Sequence, residues 1–190
     1  MYLFVDTETG GLTPQHSLLT VSAICVDANF DIIPRENGEH GIYLKIKHEE
    51  YALTAGALSV NKINIAEHDA TATPLQDASH NLCAYIEAMR RKSGKPRLIP
   101  AGHNVAFDVN FLRSYLINDK EWDEYFTYPA FDTAAIARFL NAAGKHPGGY
   151  SLGRLRELYV PHMGGQLHNA ETDNLTTIEL AKKFIGLTQK

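Results

Sequence analysis

A chain of 190 residues is long enough for one substantial core and short for two, so a single domain over residues 1–190 is expected. Hydrophobic residues at 44% and charged ones at 21% lie near globular averages, which excludes a disordered, collagen-like or coiled-coil chain. The net charge of -4 argues against a broad basic surface of the kind a sequence-indifferent duplex binder carries; any nucleic acid contact should be local, and part of the negative charge is expected in carboxylates offset by divalent cations.

Residues 2–5 are an apolar run that ends at Asp6 ahead of Gly10 and Gly11, the pattern of a buried strand entering a turn. Residues 18–26 read as a second strand. Ile42, Leu44 and Ile46 alternate with Tyr43, Lys45 and Lys47, so the first fifty residues read as an antiparallel meander followed by a helical region. Thr73 and Gln76 have capping-box spacing around Pro74, and Leu75, Ala78, Leu82, Ile86 and Met89 recur at helical spacing up to a stop at Gly94. A strand over residues 98–101 feeds a turn at Gly102 and a helix with Asp108, Phe111, Leu112 and Tyr115 on one face. Phe131 and Asp132 close another short strand before a helix over 133–143. Ser151 caps a short helix reaching Tyr159, and a last helix covers 170–185. Strands first, then strands alternating with helices, imply an α/β sandwich around a mixed sheet.

Residues 145–149 and 161–167 are the loops expected to move. Cys25 and Cys83 sit in apolar segments without zinc spacing and are expected to be reduced core thiols. No run approaches a membrane span and Met1 leads directly into a strand, so a cytoplasmic protein without membrane contact is expected.

Three segments carry the chemistry. Asp6 and Glu8, two residues apart on a strand, point to the same side, and two such charges need compensation. A divalent cation is the simplest, and oxygen-only ligands favour magnesium or manganese over zinc. Alone, the pair also reads as a solvated acidic turn. Asp108 stands among apolar residues at the start of a helix, which fits a metal ligand but equally an acid drawn to a helix N-terminus. His168 precedes a helix capped by Asn169, with Asp173 one turn in; a rigid acid beside a loop imidazole fits a ligand paired with a proton acceptor, whereas a lone loop histidine is ordinary surface.

In chain order, Asp6-Thr7-Glu8-Thr9-Gly10-Gly11-Leu12, residues 103–112 and His168-Asn169-Ala170 through Asp173 resemble the three exonuclease motifs of the DEDDh (DnaQ-like) family. That family includes the proofreading subunit of bacterial replicative polymerases, ribonuclease T and oligoribonuclease. The resemblance runs from residue 2 to about residue 185. It implies a ribonuclease H-like fold in which Asp6, Glu8, Asp108 and Asp173 hold two divalent cations, Mg2+ or Mn2+, and His168 acts as general base. The implied activity is 3′ to 5′ hydrolysis of terminal phosphodiester bonds in mainly single-stranded or frayed DNA or RNA ends, releasing nucleoside 5′-monophosphates.

Thr7, Thr9, Gly10, His103 and Asn104 are expected to face the strand end. Leu12, beside glycines that let backbone approach a ligand, is expected to wedge against the terminal base. Phe111 is expected to offer a stacking face, with a core position as the alternative. Arg90 with Arg91, and Arg154 with Arg156, are expected on solvated helix faces. Residues 186–190 show no clamp-binding peptide, so proofreading is expected only through a polymerase partner; a homodimer is the other partner considered. The competing functions are a nucleic-acid-binding module that has lost catalysis and a structure-selective endonuclease on the same fold.

Overall fold

The computed structural model describes residues 1–165 and 168–188. Strands β1 (Tyr2–Thr9), β2 (Leu18–Val26) and β3 (Ile42–Lys47) form the antiparallel meander. Beyond β3 lies β4 (Thr73–Pro74), parallel to it; on the other side of β1, β5 (Ile99–Gly102) and β6 (Phe131–Asp132) add in parallel, giving the order β4-β3-β2-β1-β5-β6. The sheet is therefore mixed, as the alternation of elements predicts.

Between these strands run helices α1 (Ala55–Asn61), α2 (Ile65–Thr71), α3 (Leu75–Ser93), α4 (Ala106–Tyr115) and α5 (Asp119–Tyr125), and after β6 come α6 (Thr133–Ala142), α7 (Leu152–Tyr159) and α8 (Ala170–Thr188). The period of two along β1 divides the core. Leu3 and Val5 pack with Leu82, Ile86, Phe111 and Trp122 on the α3–α4–α5 side, while Phe4 packs with Ile24, Phe30, Ile178 and Ala181 on the α8 side. A third cluster of Ala137, Leu140, Leu155, Leu180 and Phe184 joins α6 and α7 to α8. Every residue of β2 is buried, Thr20 and Ser22 included, as befits a strand covered on both faces.

Four expectations need correction. β1 does not end at Asp6: pairing of Asp6 with Ser22 and Glu8 with Thr20 carries it to Thr9, so the acids stand on strand rather than turn. Thr73 does not cap α3. Its backbone pairs with Ile46, Pro74 occupies the N-cap, and no side chain caps the helix. Gly94 does end α3, in the left-handed conformation that glycine adopts freely. α5 is an element that the sequence reading lacks, although Asn118 and Glu121 form a full capping box. The segment 145–149 is pinned rather than loose: His146 is buried, with Nδ1 2.8 Å from the Tyr159 hydroxyl and Nε2 2.9 Å from the Gly149 carbonyl. Of the second loop, Gln166 and Leu167 lie outside the described residues. Among the described residues no helix is long and apolar enough to cross a membrane.

α8 is held to the sheet by Ile178 and Ala181 and carries Asp173 in its first turn, so its packing bears on the candidate site. Ile178→Ala should lower the unfolding free energy by about 2–5 kcal/mol through cavity formation, read as a lower urea midpoint with unchanged slope. An unchanged midpoint would mean that α8 does not depend on this contact.

Candidate functional site

Asp6 and Glu8 lie on the α8 side of β1, where the first turn of α8 brings Asp173 against them. One carboxylate oxygen from each of the three lies within 4.8 Å of the others. Asn174 fixes this approach by donating from Nδ2 to the Phe4 carbonyl at 3.0 Å and to Ser22 Oγ at 3.1 Å. Asn169 caps the helix as expected, accepting from the Thr172 N–H at 3.1 Å. Asp173 Oδ2 accepts from the His168 N–H at 2.9 Å, whereas Oδ1 is buried and has no hydrogen-bond partner among the described residues. A buried carboxylate oxygen without a partner is costly unless a cation or proton meets it.

Asp108 is placed differently. It comes from α4, on the opposite side of β1, and its Oδ1 accepts from the Thr7 hydroxyl at 2.7 Å. It stands outside the group of three, yet its charge is the largest electrostatic influence on Asp6. The turn into α4 is organised by Asp132, which the sequence did not single out. Asp132 Oδ1 accepts from the Asn104 N–H at 2.9 Å while also capping α6 through the Ala134 N–H at 2.8 Å. Asn104 adopts a left-handed φ of 58°, tolerable for asparagine, and so delivers its N–H to that carboxylate. His103 Nδ1 lies 2.9 Å from Thr133 Oγ1, a contact within the fold.

The electrostatics follow from burial and crowding. Burial, then the charges of Asp108, Asp173 and Glu8, hold the Asp6 carboxyl well above the usual carboxylate range. Glu8 is pushed up to about 8 by burial and by Asp173 and Asp108. Burial raises Asp108 to about 7 against the opposing Thr7 hydrogen bond. Burial also raises Asp173, opposed by the His168 N–H and the Arg156 charge. Four acids disfavour full ionisation together, so neutral pH leaves the cluster partly protonated unless cations enter.

His168 is exposed and has a left-handed φ of 64°. With Glu8, Asn61, Lys62 and Glu171 it lines a cleft of about 470 Å3. Upstream, Gly165 has φ 98°, and a Cβ there would meet Thr172 Cγ2 at 2.8 Å, so the loop lies directly on α8. Arg156 is half-buried and donates to the Gly165 carbonyl at 3.2 Å; it braces this loop instead of lying on a solvated face as expected. Only the fold could reveal that, because nothing local marks the contact.

The residues expected at the strand end divide. Leu12 is 85% exposed, an apolar side chain free to meet a ligand. Phe111 is 1% exposed and packed between Phe107 and Tyr115, so it is a core residue with no face for a base. The Thr7 hydroxyl serves Asp108, and the Thr9 hydroxyl donates to the Gly11 carbonyl at 2.7 Å, shaping the turn. Gly10 and Gly11 make room for the protein itself: a Cβ would meet the Ala52 carbonyl oxygen at 2.3 Å or the His16 ring at 2.4 Å, respectively.

No family profile matches the chain. It is 25% identical over 189 residues to a ribonuclease T of Marinobacter nauticus, covering 98% of this chain and 81% of that protein. It is 28% identical over 184 residues to a ribonuclease T of Hahella chejuensis, covering 93% and 79%. Among solved structures it resembles E. coli exonuclease I in complex with a dT13 oligonucleotide, with a TM-score of 0.72 at 20% identity over 99% of this chain; it spans 42% of that longer chain. It also resembles exonuclease X in complex with 5′ overhanging duplex DNA, with a TM-score of 0.60 at 20% identity over 100% of this chain and 94% of that one. The fold is thus the ribonuclease H-like sandwich that the motifs imply.

Raised carboxylate values make a directional statement about stability. In the metal-free protein the folded state retains protons that the unfolded chain releases near pH 4, so stability is full in acid and declines as pH rises towards about 8. The melting temperature in chelator should fall from about pH 5 to about pH 8.5, and Asp6→Asn should lessen that fall. A wild-type melting temperature no more sensitive to pH than that of Asp6→Asn would remove this electrostatic account.

Proposed function

We propose that this chain is a 3′ to 5′ exonuclease of the DEDDh type that trims mainly single-stranded DNA or RNA from the 3′ end, releasing nucleoside 5′-monophosphates, a reading supported by its similarity to ribonuclease T proteins. The observation that carries the proposal is the meeting of Asp6, Glu8 and Asp173, together with a buried Asp173 oxygen that no group among the described residues satisfies. Asp6, Glu8 and Asp173, with Asp108 beside them, would hold the two divalent ions, and an all-oxygen donor set favours magnesium or manganese. Bound divalent cations supply a water of lowered pKa and stabilise charge on the phosphate and the departing oxygen.

The chain's own residues do the rest. His168 accepts the proton of the attacking water at a ring nitrogen, the water oxygen bonds to phosphorus, and the 3′ oxygen of the penultimate nucleotide leaves and is protonated. Thr7 holds Asp108 and Asn174 holds the start of α8, so the acids are positioned before substrate arrives. Leu12 stands free to pack against the terminal base. A single domain and a cytoplasmic setting belong to the same proposal, with a second copy of the chain or a polymerase as the protein partners it admits.

A chelator should abolish turnover and magnesium or manganese restore it, while Asp6→Ala, Asp108→Ala and Asp173→Ala should each be inactive although folded. Wild-type rates in any one of them would remove that residue from the set. His168→Ala should lose roughly a hundredfold or more in rate with metal binding retained. Leu12→Ala should raise KM on single strands, and a 3′-phosphate should block cleavage. On a 5′-labelled oligonucleotide the products should form a stepwise ladder; discrete internal cuts, or equal rates on blocked and free ends, would favour an endonuclease instead.

A further inference from the structure

Clefts adjoin one another along the β3 side of the molecule. The one beside Glu8 and His168 extends to Tyr43 and Glu171. Tyr43 and Glu171 also wall the next, of about 450 Å3, which reaches Arg35 and Ile42. Arg35 and Ile42 in turn border a third, of about 990 Å3, rimmed by His80, Arg91 and Lys92 of α3. Because β4 pairs only with Ile46 and Lys47, the outer edge of β3 over residues 42–45 is not covered by another strand along this path.

Charge changes sign along the path. It starts at the catalytic acids and ends at the C-terminus of α3, where Arg90 and Lys95 border a further cleft that shares Arg91. The Arg35 and Arg91 charges are partly offset by Glu39 and Glu87. Lys92 Nζ instead donates to the neutral Pro34 carbonyl at 2.6 Å, which leaves its charge for an anion. The chain passes from β4 at the site end into α3 and returns in β5, parallel to β1, so the α3 C-terminus lies at the opposite end of the sheet from Glu8. At 19 residues, α3 is about 28 Å long. A path on that scale takes several nucleotides, within the range of roughly 4–16 for single-strand-binding grooves.

We propose that these clefts form one track for the nucleic acid strand 5′ of the terminal nucleotide, with Arg35, Arg91 and Lys92 receiving its phosphates. The proposal rests on the exonuclease reading and extends it: the site grips length at its basic end while it cuts at its acidic end. A single strand is the occupant that fits, since its flexible backbone can follow a curved groove and a chain of phosphates matches cations displaced from the catalytic centre. The low net charge of the whole protein does not oppose this, because the contact required is local: Arg35, Arg91 and Lys92 border the same cleft.

The test measures fluorescence anisotropy in magnesium with oligonucleotides of about twenty and about four nucleotides whose terminal linkages resist hydrolysis, lengths chosen to span the track or stop short of it. Arg91→Gln combined with Lys92→Gln changes exposed side chains outside the catalytic centre. Binding of the long strand should weaken on the order of tenfold, with the slope of log K against log salt shallower by roughly 1.4, about 0.7 for each phosphate that the protein no longer neutralises. Binding of the short strand should not change. Equal weakening at both lengths, no weakening at either, or a wild type that binds the long strand no better than the short one overturns the track. Sedimentation showing a wild-type dimer that the double variant abolishes would assign the clefts to a second copy of the chain and likewise overturn it. Failure of the exonuclease reading is seen separately, as a wild type that yields no ladder from an unmodified short strand.

Discussion

Like charges held together against water's preference for keeping them apart are the constraint on which this molecule is organised. At about 5 Å and an effective dielectric near 20, each pair of ionised carboxylates repels by roughly 3 kcal/mol, and burial adds to that cost. Several such pairs rival the roughly 5–15 kcal/mol by which a typical domain is stable. Asp6 and Glu8 can be adjacent because β2 pairs with β1 at both of them and β5 holds β1 from the other side over Tyr2–Phe4, which restrains the backbone against relaxing. Asp173 is brought against them by a helix anchored through Phe4, Ile24, Ile178 and Ala181, and through the Asn174 hydrogen bonds. The apolar core thus holds a site that repels itself, and relief comes from protons or cations.

The supports of the two helices differ in kind. α8 meets the sheet through apolar packing and a buried amide, and keeps one Asp173 oxygen unpaired. α4 delivers Asp108 to the other side of β1, where a single hydroxyl receives it, and its entry depends on the Asp132 carboxylate shared between the Asn104 N–H and the start of α6. Each acid accepts a hydrogen bond before any ligand arrives, Asp108 from the Thr7 hydroxyl and Asp173 from the His168 N–H, but Asp173 keeps a buried oxygen with no partner among the described residues. This asymmetry gives the two acids different environments although both are buried.

The segments around the site also divide into braced and free. His146 bonds at both ring nitrogens and fixes the chain ahead of α7; Arg156 and Thr172 hold Gly165 near the loop that carries His168. His168 itself is anchored by its backbone N–H, while its ring stands in solvent. Leu12 is free in the same sense, at the end of a turn held rigid by Thr9 and by glycines pressed against Ala52 and His16. Rigid backbone beneath exposed side chains is an arrangement suited to meeting a substrate.

Local patterns determined much of what could be read beforehand. The bounds of β2 and β6, the Ser151 cap of α7, the Asn169 cap of α8, the stop of α3 at Gly94 and the common orientation of Asp6 and Glu8 all follow from period, capping and turn chemistry within a few residues. The three acidic motifs were visible for the same reason. Tertiary structure decided which groups met: Thr7 with Asp108 across 101 positions, Asn174 with Phe4 across 170, and Arg156 with Gly165 by loop return. It also reversed local readings, burying Phe111 in the core, turning Thr73 into strand and making Gly10 and Gly11 packing residues. Period and caps are properties of adjacent backbone and survive in sequence. The partner of a hydroxyl, a guanidinium or an aromatic ring depends on how distant elements dock, and no spacing along the chain encodes that.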